Sequence, residues 1–436
     1  YDFGYISAGK FIERTANSLH TMEGLERHQG HFFNWYDTQS LKPLPPLYIS
    51  SVDSGNLAGH LLTLRPGLLG LADHPVLGTQ WFEGLSDTLR IAMDAAVAAP
   101  AEAVPEGCAP PHLSRLLQDL ESAVRSPPTT LTALRQCLDQ LSTSAAVVAA
   151  GEEALDDSPG DQLRWWTHAF AMQCRDALDE LTFLAPWTER LSAQDRLGDF
   201  PDLDEIPTLS ELATLDAKLL PAIELQLSAA PPFEESARLD ELQRLITESS
   251  ERARTRMAAI KGLALLSDVL ARMEYDFLFD EARHLLAIGY NVGERRRDAS
   301  YYDLLASEAR FSSFVAIAQG QVPQENWFAL GRLLTTAGGG PILLSWSGSM
   351  FEYLMPLLVM PTYEHTLLDQ TCKAAVARQI EYGKERSVPW GISECGYNAI
   401  DVHLNYQYRA FGVPGLGLKR GLAEDLVIAP YASALA

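Results

Sequence analysis

Residues Glu234 to Met273 read EESARLDELQRLITESSERARTRMAAIKGLALLSDVLARM, a long stretch that contains no proline. Its apolar positions recur three and four residues apart, as at Leu239, Leu242 and Leu245. This spacing places them on one face of an α-helix. The stretch therefore predicts a long amphipathic helix.

The same periodicity recurs on both sides of this stretch, and proline, glycine and serine clusters separate the segments. Further helices are predicted over Phe11–Gln29, Trp81–Ala99, Pro111–Val124, Thr130–Ala150 and Gln162–Leu191. Strand signals are scarce and short, as at Leu285–Tyr290. The pattern predicts an all-α protein, a helical toroid of paired helices. We expect one domain over residues 1–436, with an acidic helical middle region at 100–259.

The composition limits the classes of function. The chain has 436 residues, 47% of them hydrophobic and 21% charged, and a formal net charge of -23. Such an acidic protein repels nucleic acid and anionic membrane surfaces, and suits a neutral substrate. The five cysteines are scattered, which favours reduced thiols in a cytosolic setting. No signal peptide or long apolar run is present, and the start at Tyr1 suggests a piece of a longer protein.

A second informative stretch is Asp298 to Arg310, DASYYDLLASEAR. We expect a turn followed by a helix from Leu304, whose buried stripe would run through Leu304, Phe311 and Val315 to Ala318. Glu308 completes this stripe. A carboxylate on a buried face is costly unless it is paired or used. The sequence leaves two readings of Glu308 open, a structural carboxylate and a functional one.

Four further segments combine aromatic rings with carboxylates or amides: HFFNWYDT (His31–Thr38), SVDSGNLAGHLL (Ser51–Leu62), SWSGSMFEYLMPLL (Ser345–Leu358) and PWGISECGYNAIDVHLNYQY (Pro389–Tyr408). Flat rings stack on sugar C–H surfaces, and carboxylates accept sugar hydroxyls, so the segments indicate a carbohydrate site. We expect the region from His31 to His60 to meet the segments after Asp298. The candidate substrate-binding residues are Trp35, Tyr36, Asp37, Asp53, Asn56, Asp298, Tyr301, Tyr302, Trp346, Trp390, Tyr397 and Tyr406.

The sequence lacks the motifs of several other classes of enzyme. Gly338 to Gly340 form a glycine run, but the GK[ST] of a P-loop does not follow it, and neither GxSxG nor HExxH occurs. The ten histidines and five cysteines show no metal-ligand spacing. We therefore expect no metal and no other cofactor.

Several of these motifs resemble the central, glucoamylase-like domain of cyclic β-1,2-glucan synthases, large bacterial membrane enzymes. The similarity is close at GHFFNWYDT, SVDSGNLAGHLLTL, SYYDLLASEAR, SWSGSMFEYLMPLL, PWGISE and YQYRAFGVPGLGLKRGL, and covers the middle of the chain only in helical character. The resemblance implies an (α/α)6 barrel with its catalytic half at 274–436. It also implies a transglycosylase that closes linear β-1,2-glucan into a ring, on the cytoplasmic side of an inner-membrane protein that contributes other domains.

The resemblance places the catalytic pair at Glu308 and Glu394, with Glu352 as a rival for either role or a structural carboxylate. A retaining mechanism needs one ionised carboxylate as nucleophile and one protonated carboxyl as acid. We assign Glu308 as nucleophile and Glu394 as acid/base. Two alternatives stay open: a hydrolytic endo-β-1,2-glucanase on the same fold, and a glucan-binding module without catalysis.

Overall fold

The computed structural model describes residues 1–99, 110–149, 159–190, 200–337, 340–400 and 406–436. Within them the chain is mostly α-helical, and its strands are short. The prediction of a mostly helical protein is confirmed, whereas the (α/α)6 barrel stays a prediction. None of the described helices has the length and apolar character needed to cross a membrane.

In chain order the helices are α1 (Ala8–Gly24), α2 (Ser51–Gly70), α3 (Gln80–Ala98), α4 (Pro110–Arg125), α5 (Leu131–Ala149), α6 (Pro159–Leu184), α7 (Trp187–Arg190), α8 (Leu209–Leu212), α9 (Leu215–Ser228), α10 (Phe233–Leu270), α11 (Ala309–Ala318), α12 (Glu325–Ala329), α13 (Met350–Leu354), α14 (Leu367–Arg386) and α15 (Pro430–Ala434). Two 3-10 turns lie at Pro201–Asp204 and Met355–Leu358. The predicted helix over Glu234–Met273 is α10, displaced by one residue at its start and three at its end.

The strands are β1 (Arg27–His28), β2 (His31–Phe32), β3 (Tyr48–Ser50), β4 (Phe279–Asp280), β5 (Leu285–Leu286), β6 (Gly289–Asn291), β7 (Arg296–Arg297), β8 (Leu334–Ala337), β9 (Gly340–Leu343), β10 (Cys395–Ile400) and β11 (Tyr406–Arg409). They form antiparallel pairs, and β3, β6 and β7 form a three-stranded sheet in that order. Because β3 leads directly into α2, this sheet ties the start of α2 to the segment before Asp298.

The chain divides into two compact units. Unit 1 comprises Tyr1–Leu19 and Pro66–Ala264, and unit 2 comprises His20–Arg65 and Leu265–Ala436. In unit 1, α3 packs against α4 and α6, and α5 packs against α6, around fully buried aliphatic side chains such as Leu89, Leu120 and Leu138. Three predictions about domain organisation stay predictions: a single domain over 1–436, an acidic middle region at 100–259 and a catalytic half at 274–436.

Unit 2 contains all four segments in which aromatic and polar residues combine, together with the stretch from Asp298 to Arg310. Its main apolar cluster surrounds α13 and α14 and includes Tyr353, Leu354, Ala375 and Ile392. The predicted meeting of the region from His31 to His60 with the segments after Asp298 is confirmed, since Asn56 contacts Glu308 and Tyr48 contacts Asp298.

Candidate active site

Glu308 lies at the N-cap of α11, directly before its first helical residue. The prediction that the helix begins at Leu304 is wrong, because Ser307 adopts a φ of 51°, a left-handed conformation that a right-handed helix does not contain. Ala318, predicted to be buried, is exposed. The prediction that Glu308 is buried is confirmed, with 6% of its surface exposed.

Two neutral donors hold the Glu308 carboxylate. Asn56 Nδ2 on α2 donates to Oε1 at 3.2 Å, and the Ser307 hydroxyl donates to Oε2. Burial raises the pKa of Glu308, and the nearby charge of Asp53 raises it further, whereas the bonds from Ser307 and Asn56 lower it. Asn56, predicted to bind substrate, therefore contacts a candidate catalytic group.

Glu394 occupies a bend immediately before β10. Burial raises the pKa of Glu394 to about 7, and the charges of Glu352 and Glu308 add to the increase. The Tyr408 hydroxyl, which donates to Oε2 at 3.2 Å, and the charge of Lys419 act in the opposite direction. Glu308 and Glu394 are thus within electrostatic reach of each other.

Tyr302 is close to several of these acidic groups. Burial raises its pKa to about 12, and the charges of Asp53, Glu308, Glu394 and Asp298 contribute in that order. A phenol surrounded by carboxylates stays protonated at neutral pH and can donate a hydrogen bond.

Backbone contacts fix the segment that carries Glu394. The buried Gln379 side chain on α14 accepts from Ile392 N and donates to Ile392 O, both at 2.8 Å. Phe351 N, in the first turn of α13, donates to Ser393 Oγ at 3.0 Å, and the Tyr431 hydroxyl on α15 donates to Glu394 O at 2.7 Å. Three helices therefore hold the residues on which the position of the Glu394 carboxyl depends.

Glu352 is the most deeply buried of the three glutamates, with 1% of its surface exposed. It forms a capping box with Ser349 at the start of α13. Its carboxylate also accepts bonds from Ser347 N at 3.1 and 3.0 Å and from Ser347 Oγ at 2.6 Å. All of these donors belong to its own segment, which favours the hydrogen-bonded reading of Glu352 over a direct role.

Several predicted substrate-binding residues form hydrogen bonds within loops. Asp37 accepts from Ser40 N at 2.6 Å, which lowers its pKa, and the Tyr36 hydroxyl donates to Glu26 O at 2.7 Å. Asp298 accepts from the Tyr48 hydroxyl, and Asp280 accepts from the Tyr301 hydroxyl at 2.5 Å. Asp53 is exposed and accepts from Asn34 Nδ2 at 3.4 Å.

The predicted stacking residues differ in accessibility. Trp35 is 66% exposed and Trp346 is 58% exposed, so both indoles have free faces in unit 2. Trp390 packs against the apolar cluster of unit 2, and Tyr397 makes an edge contact with Phe411 at 5.3 Å between ring centroids. The side chain of Tyr406 lies outside the described part of the structure.

The candidate site also includes residues that the sequence analysis did not select: Ser307, Gln379, Tyr408, Lys419 and Tyr431. Ser307 adjoins Glu308 and Tyr408 ends one of the quoted segments, so adjacency could have suggested both. Lys419 lies in the quoted motif YQYRAFGVPGLGLKRGL, which could have suggested it, whereas no sequence signal pointed to Gln379 or Tyr431. Within the described ranges no group of three or more His, Cys, Asp or Glu side chains is arranged to hold a metal ion.

Comparison with known proteins gives one strong relative and no matching protein-family model. The chain is 36% identical over 438 aligned residues to the cyclic beta-(1,2)-glucan synthase NdvB of Rhizobium meliloti (strain 1021). The resemblance to cyclic β-1,2-glucan synthases is confirmed. The alignment covers 100% of this chain but 13% of the relative, so the chain corresponds to a domain-sized segment of that synthase.

Proposed function

We propose that this chain is a transglycosylase domain that closes linear β-1,2-glucan into a ring by a retaining, glycoside-hydrolase-type mechanism. The observation that carries the proposal is the pair of glutamates in unit 2, buried Glu308 and half-buried Glu394, which lie within electrostatic reach of each other and whose pKa values are both raised. The similarity of the whole chain to a segment of a cyclic β-1,2-glucan synthase supports β-1,2-glucan as the substrate. We also propose the (α/α)6 barrel, which its glucoamylase-like resemblance implies.

The roles of the two glutamates follow from their surroundings. Glu394, with a pKa of about 7, is about half protonated at neutral pH and suits the acid that protonates the departing sugar oxygen. Glu308 accepts bonds from Ser307 and Asn56, which stabilise its ionised form and suit a nucleophile. We therefore propose Glu308 as nucleophile and Glu394 as acid/base.

Ring closure requires two displacements. In the first, the Glu308 carboxylate attacks the anomeric carbon, and Glu394 gives its proton to the departing reducing-end fragment. In the second, the non-reducing-end hydroxyl of the same chain attacks the glycosyl-enzyme and gives its proton to Glu394. Each displacement inverts the anomeric carbon, so the new linkage is β. A retaining pair is expected to have carboxyl groups roughly 5–5.5 Å apart, whereas an inverting pair needs about 6.5–9.5 Å. The short separation of the Glu308 and Glu394 carboxyl groups stays a prediction.

The bound glucan must reach both glutamates and exclude water, which would otherwise hydrolyse the intermediate. The exposed indoles of Trp35 and Trp346 offer stacking faces for glucose rings, and Tyr302 offers a hydroxyl beside the carboxylates. We propose that the parent protein is a bacterial inner-membrane synthase with this domain in the cytoplasm, where its other domains supply linear glucan.

The test is to incubate the purified domain with long linear β-1,2-glucan and to analyse the products by mass. A cyclic product has one water less than a linear product of the same length, and we expect cyclic products. Linear fragments alone would indicate the hydrolase, and unchanged glucan would indicate a binding module.

The role assignment has its own test. The substrate for this test is a β-linked glucosyl donor whose leaving group departs as an anion and needs no proton from the enzyme. With azide added, Glu308→Ala is expected to form an α-glycosyl azide in a single displacement, whereas Glu394→Ala is expected to form a β-glycosyl azide through the intact nucleophile. The reverse pattern of anomers would exchange the two roles.

A further inference from the structure

Glu352 has an unusual environment for a carboxylate that does not bind a cation. Among the described residues its carboxylate accepts from neutral donors: Ser347 N, Ser347 Oγ, Ser349 N and Ser349 Oγ, the last two at 3.2 and 3.1 Å. Its backbone oxygen accepts from the buried guanidinium of Arg310, with Nη1 at 2.6 Å. Hydrogen bonds from N–H and O–H groups favour the ionised form of a carboxylate. The serines from Ser347 to Ser349 thus hold the buried carboxylate, while the guanidinium of Arg310 bonds the main chain of Glu352 and Tyr353 and forms no described ion pair with that carboxylate.

The segment around Glu352 is bonded directly to the segment that carries Glu394. Met350 N donates to Ile392 O at 3.2 Å, and Phe351 N donates to Ser393 Oγ at 3.0 Å. These bonds join the first turn of α13 to the two residues before Glu394. Helix α13 therefore holds the charge of Glu352 at a fixed position relative to Glu394.

We propose that Glu352 is a positioning residue that acts through Glu394: an ionised carboxylate, held by its serine donors, that makes Glu394 retain its proton. The inference rests on the proposed function, since it matters for catalysis only if Glu394 is the acid. An acid that must protonate a leaving group near neutral pH needs a higher proton affinity than an exposed glutamate has. A buried negative charge near the acid supplies this higher proton affinity, because electrostatic interactions are stronger away from water.

The groups that face Glu394 agree with this role. Of the described residues, they include Glu308 at the start of α11, Glu352 on α13, Tyr408 on β11, Lys419 in the loop after β11, Tyr431 on α15 and Tyr302. The guanidinium of Arg310 on α11 bonds the backbone oxygen of Glu352. After burial, the charge of Glu352 is the largest cause of the raised pKa of Glu394, ahead of Glu308. Lys419, whose Nζ donates to Ala410 O at 2.9 Å, lowers the pKa.

The test uses Glu352→Gln, which keeps the shape of the side chain and its acceptor oxygen but removes the charge. In protein labelled with 13C at the glutamate carboxyl, the Glu394 signal is identified by its loss in Glu394→Gln, and its titration is followed by NMR. We expect its midpoint to fall in Glu352→Gln and to rise in Lys419→Met. An unchanged midpoint in a folded Glu352→Gln protein would overturn the proposal.

The pH profile of kcat/KM provides the functional readout. We expect its alkaline limb to move to lower pH in Glu352→Gln and to higher pH in Lys419→Met, with about tenfold less activity on that limb for each unit of downward movement. Tyr382→Phe, a conservative change on α14 that removes only the hydroxyl bonded to Arg386, is the control and leaves the limb in place. A Glu394 signal that shifts while the pH profile does not would support the electrostatic inference and reject Glu394 as the acid.

A measurement on the unchanged protein keeps the test decisive if Glu352→Gln does not fold. The Glu352 carboxyl signal, identified by its loss in Glu352→Asp, must stay at its ionised position at every pH at which Glu394 titrates. A Glu352 signal that gains a proton over the same pH range would overturn the proposal.

Discussion

The two compact units differ in how they bury carboxylates. Among the described residues, unit 1 buries Glu180, which pairs with Arg256 at 2.5 Å and also accepts from Gly9 N. Unit 2 buries Asp280, Glu308, Glu352 and Asp369. Asp280 has Arg283 and Arg297 nearby, and Asp369 has Lys373, but the described ion pairs include none with Glu308 or Glu352.

This difference separates structural carboxylates from reactive ones. A buried ion pair keeps its carboxylate ionised and chemically quiet, because the cation offsets the cost of removing the charge from water. A buried carboxylate without a cation gains proton affinity instead, except where N–H and O–H donors stabilise its charge, as they do around Glu352. Glu308 belongs to this second class. Glu394 is half-buried and has Lys419 nearby, but it forms no described ion pair, and its pKa is raised as well, as the proposed acid–base chemistry needs.

The largest expected effect is on activity. Glu308→Gln and Glu394→Gln should each reduce the rate of glucan conversion by roughly 10³-fold or more, because in the proposed mechanism each removes a group that acts on the reacting bond. The fold should be retained, since neither variant breaks an ion pair. Product analysis by mass and thermal unfolding measure the two effects. A variant with near wild-type activity would remove that residue from the mechanism and return Glu352 to consideration.

Glu180→Gln is the matched change in unit 1. It leaves the partly buried Arg256 without its counter-ion, so the free energy of unfolding should fall by about 3 kcal/mol. Urea denaturation measures this loss, and kcat/KM should stay unchanged at temperatures where the variant is folded. A loss of kcat/KM as large as that of Glu308→Gln would contradict the distinction between paired and unpaired carboxylates.

The pH dependence should follow Glu394. Because its pKa is raised from 4.5 to about 7, the protonated acid is lost above that value, and activity should decrease as pH rises through it. Below about 4.5 this group contributes its full stability, and the contribution decreases as pH rises from 4.5 to about 7, since the folded state binds the extra proton. Rates and unfolding free energies measured from pH 4 to pH 9 test both directions. An activity that still increases above pH 8 would contradict the acid role.

The smallest expected effects are on the free energy of unfolding and come from two capping boxes. Thr208 and Glu211 form an exposed one at the start of α8, and Ser349 and Glu352 form a buried one at the start of α13. Thr208→Ala should cost about 0.5–1 kcal/mol of unfolding free energy, because water can replace the lost bond. Ser349→Ala should cost about 1–3 kcal/mol, because water cannot reach the buried carboxylate it bonds. Thermal unfolding of both variants measures the difference between the two losses of stability. Equal losses would show that burial does not increase the contribution of a capping bond to stability.

The fold of unit 1 was largely predictable from the sequence. The predicted ranges Trp81–Ala99 and Thr130–Ala150 correspond to α3 and α5 within about one residue at each end. The site was less predictable. The burial of Glu308 followed from helical spacing, but the assumed start of its helix did not hold, because the left-handed backbone at Ser307 has no signal in the pattern of apolar residues.

By itself the sequence determined the helical class, the candidate glutamates and the relationship to cyclic β-1,2-glucan synthases. These depend on local spacing and on short motifs, which a linear chain displays directly. Only the tertiary structure decided the contact of Asn56 with Glu308, 252 residues apart, and the bonds from Gln379 and Tyr431 to the segment of Glu394. It also decided that the helix carrying Glu352 is bonded to that segment. Proton affinity depends on burial and on charges close in space, and both arise only when distant segments pack together.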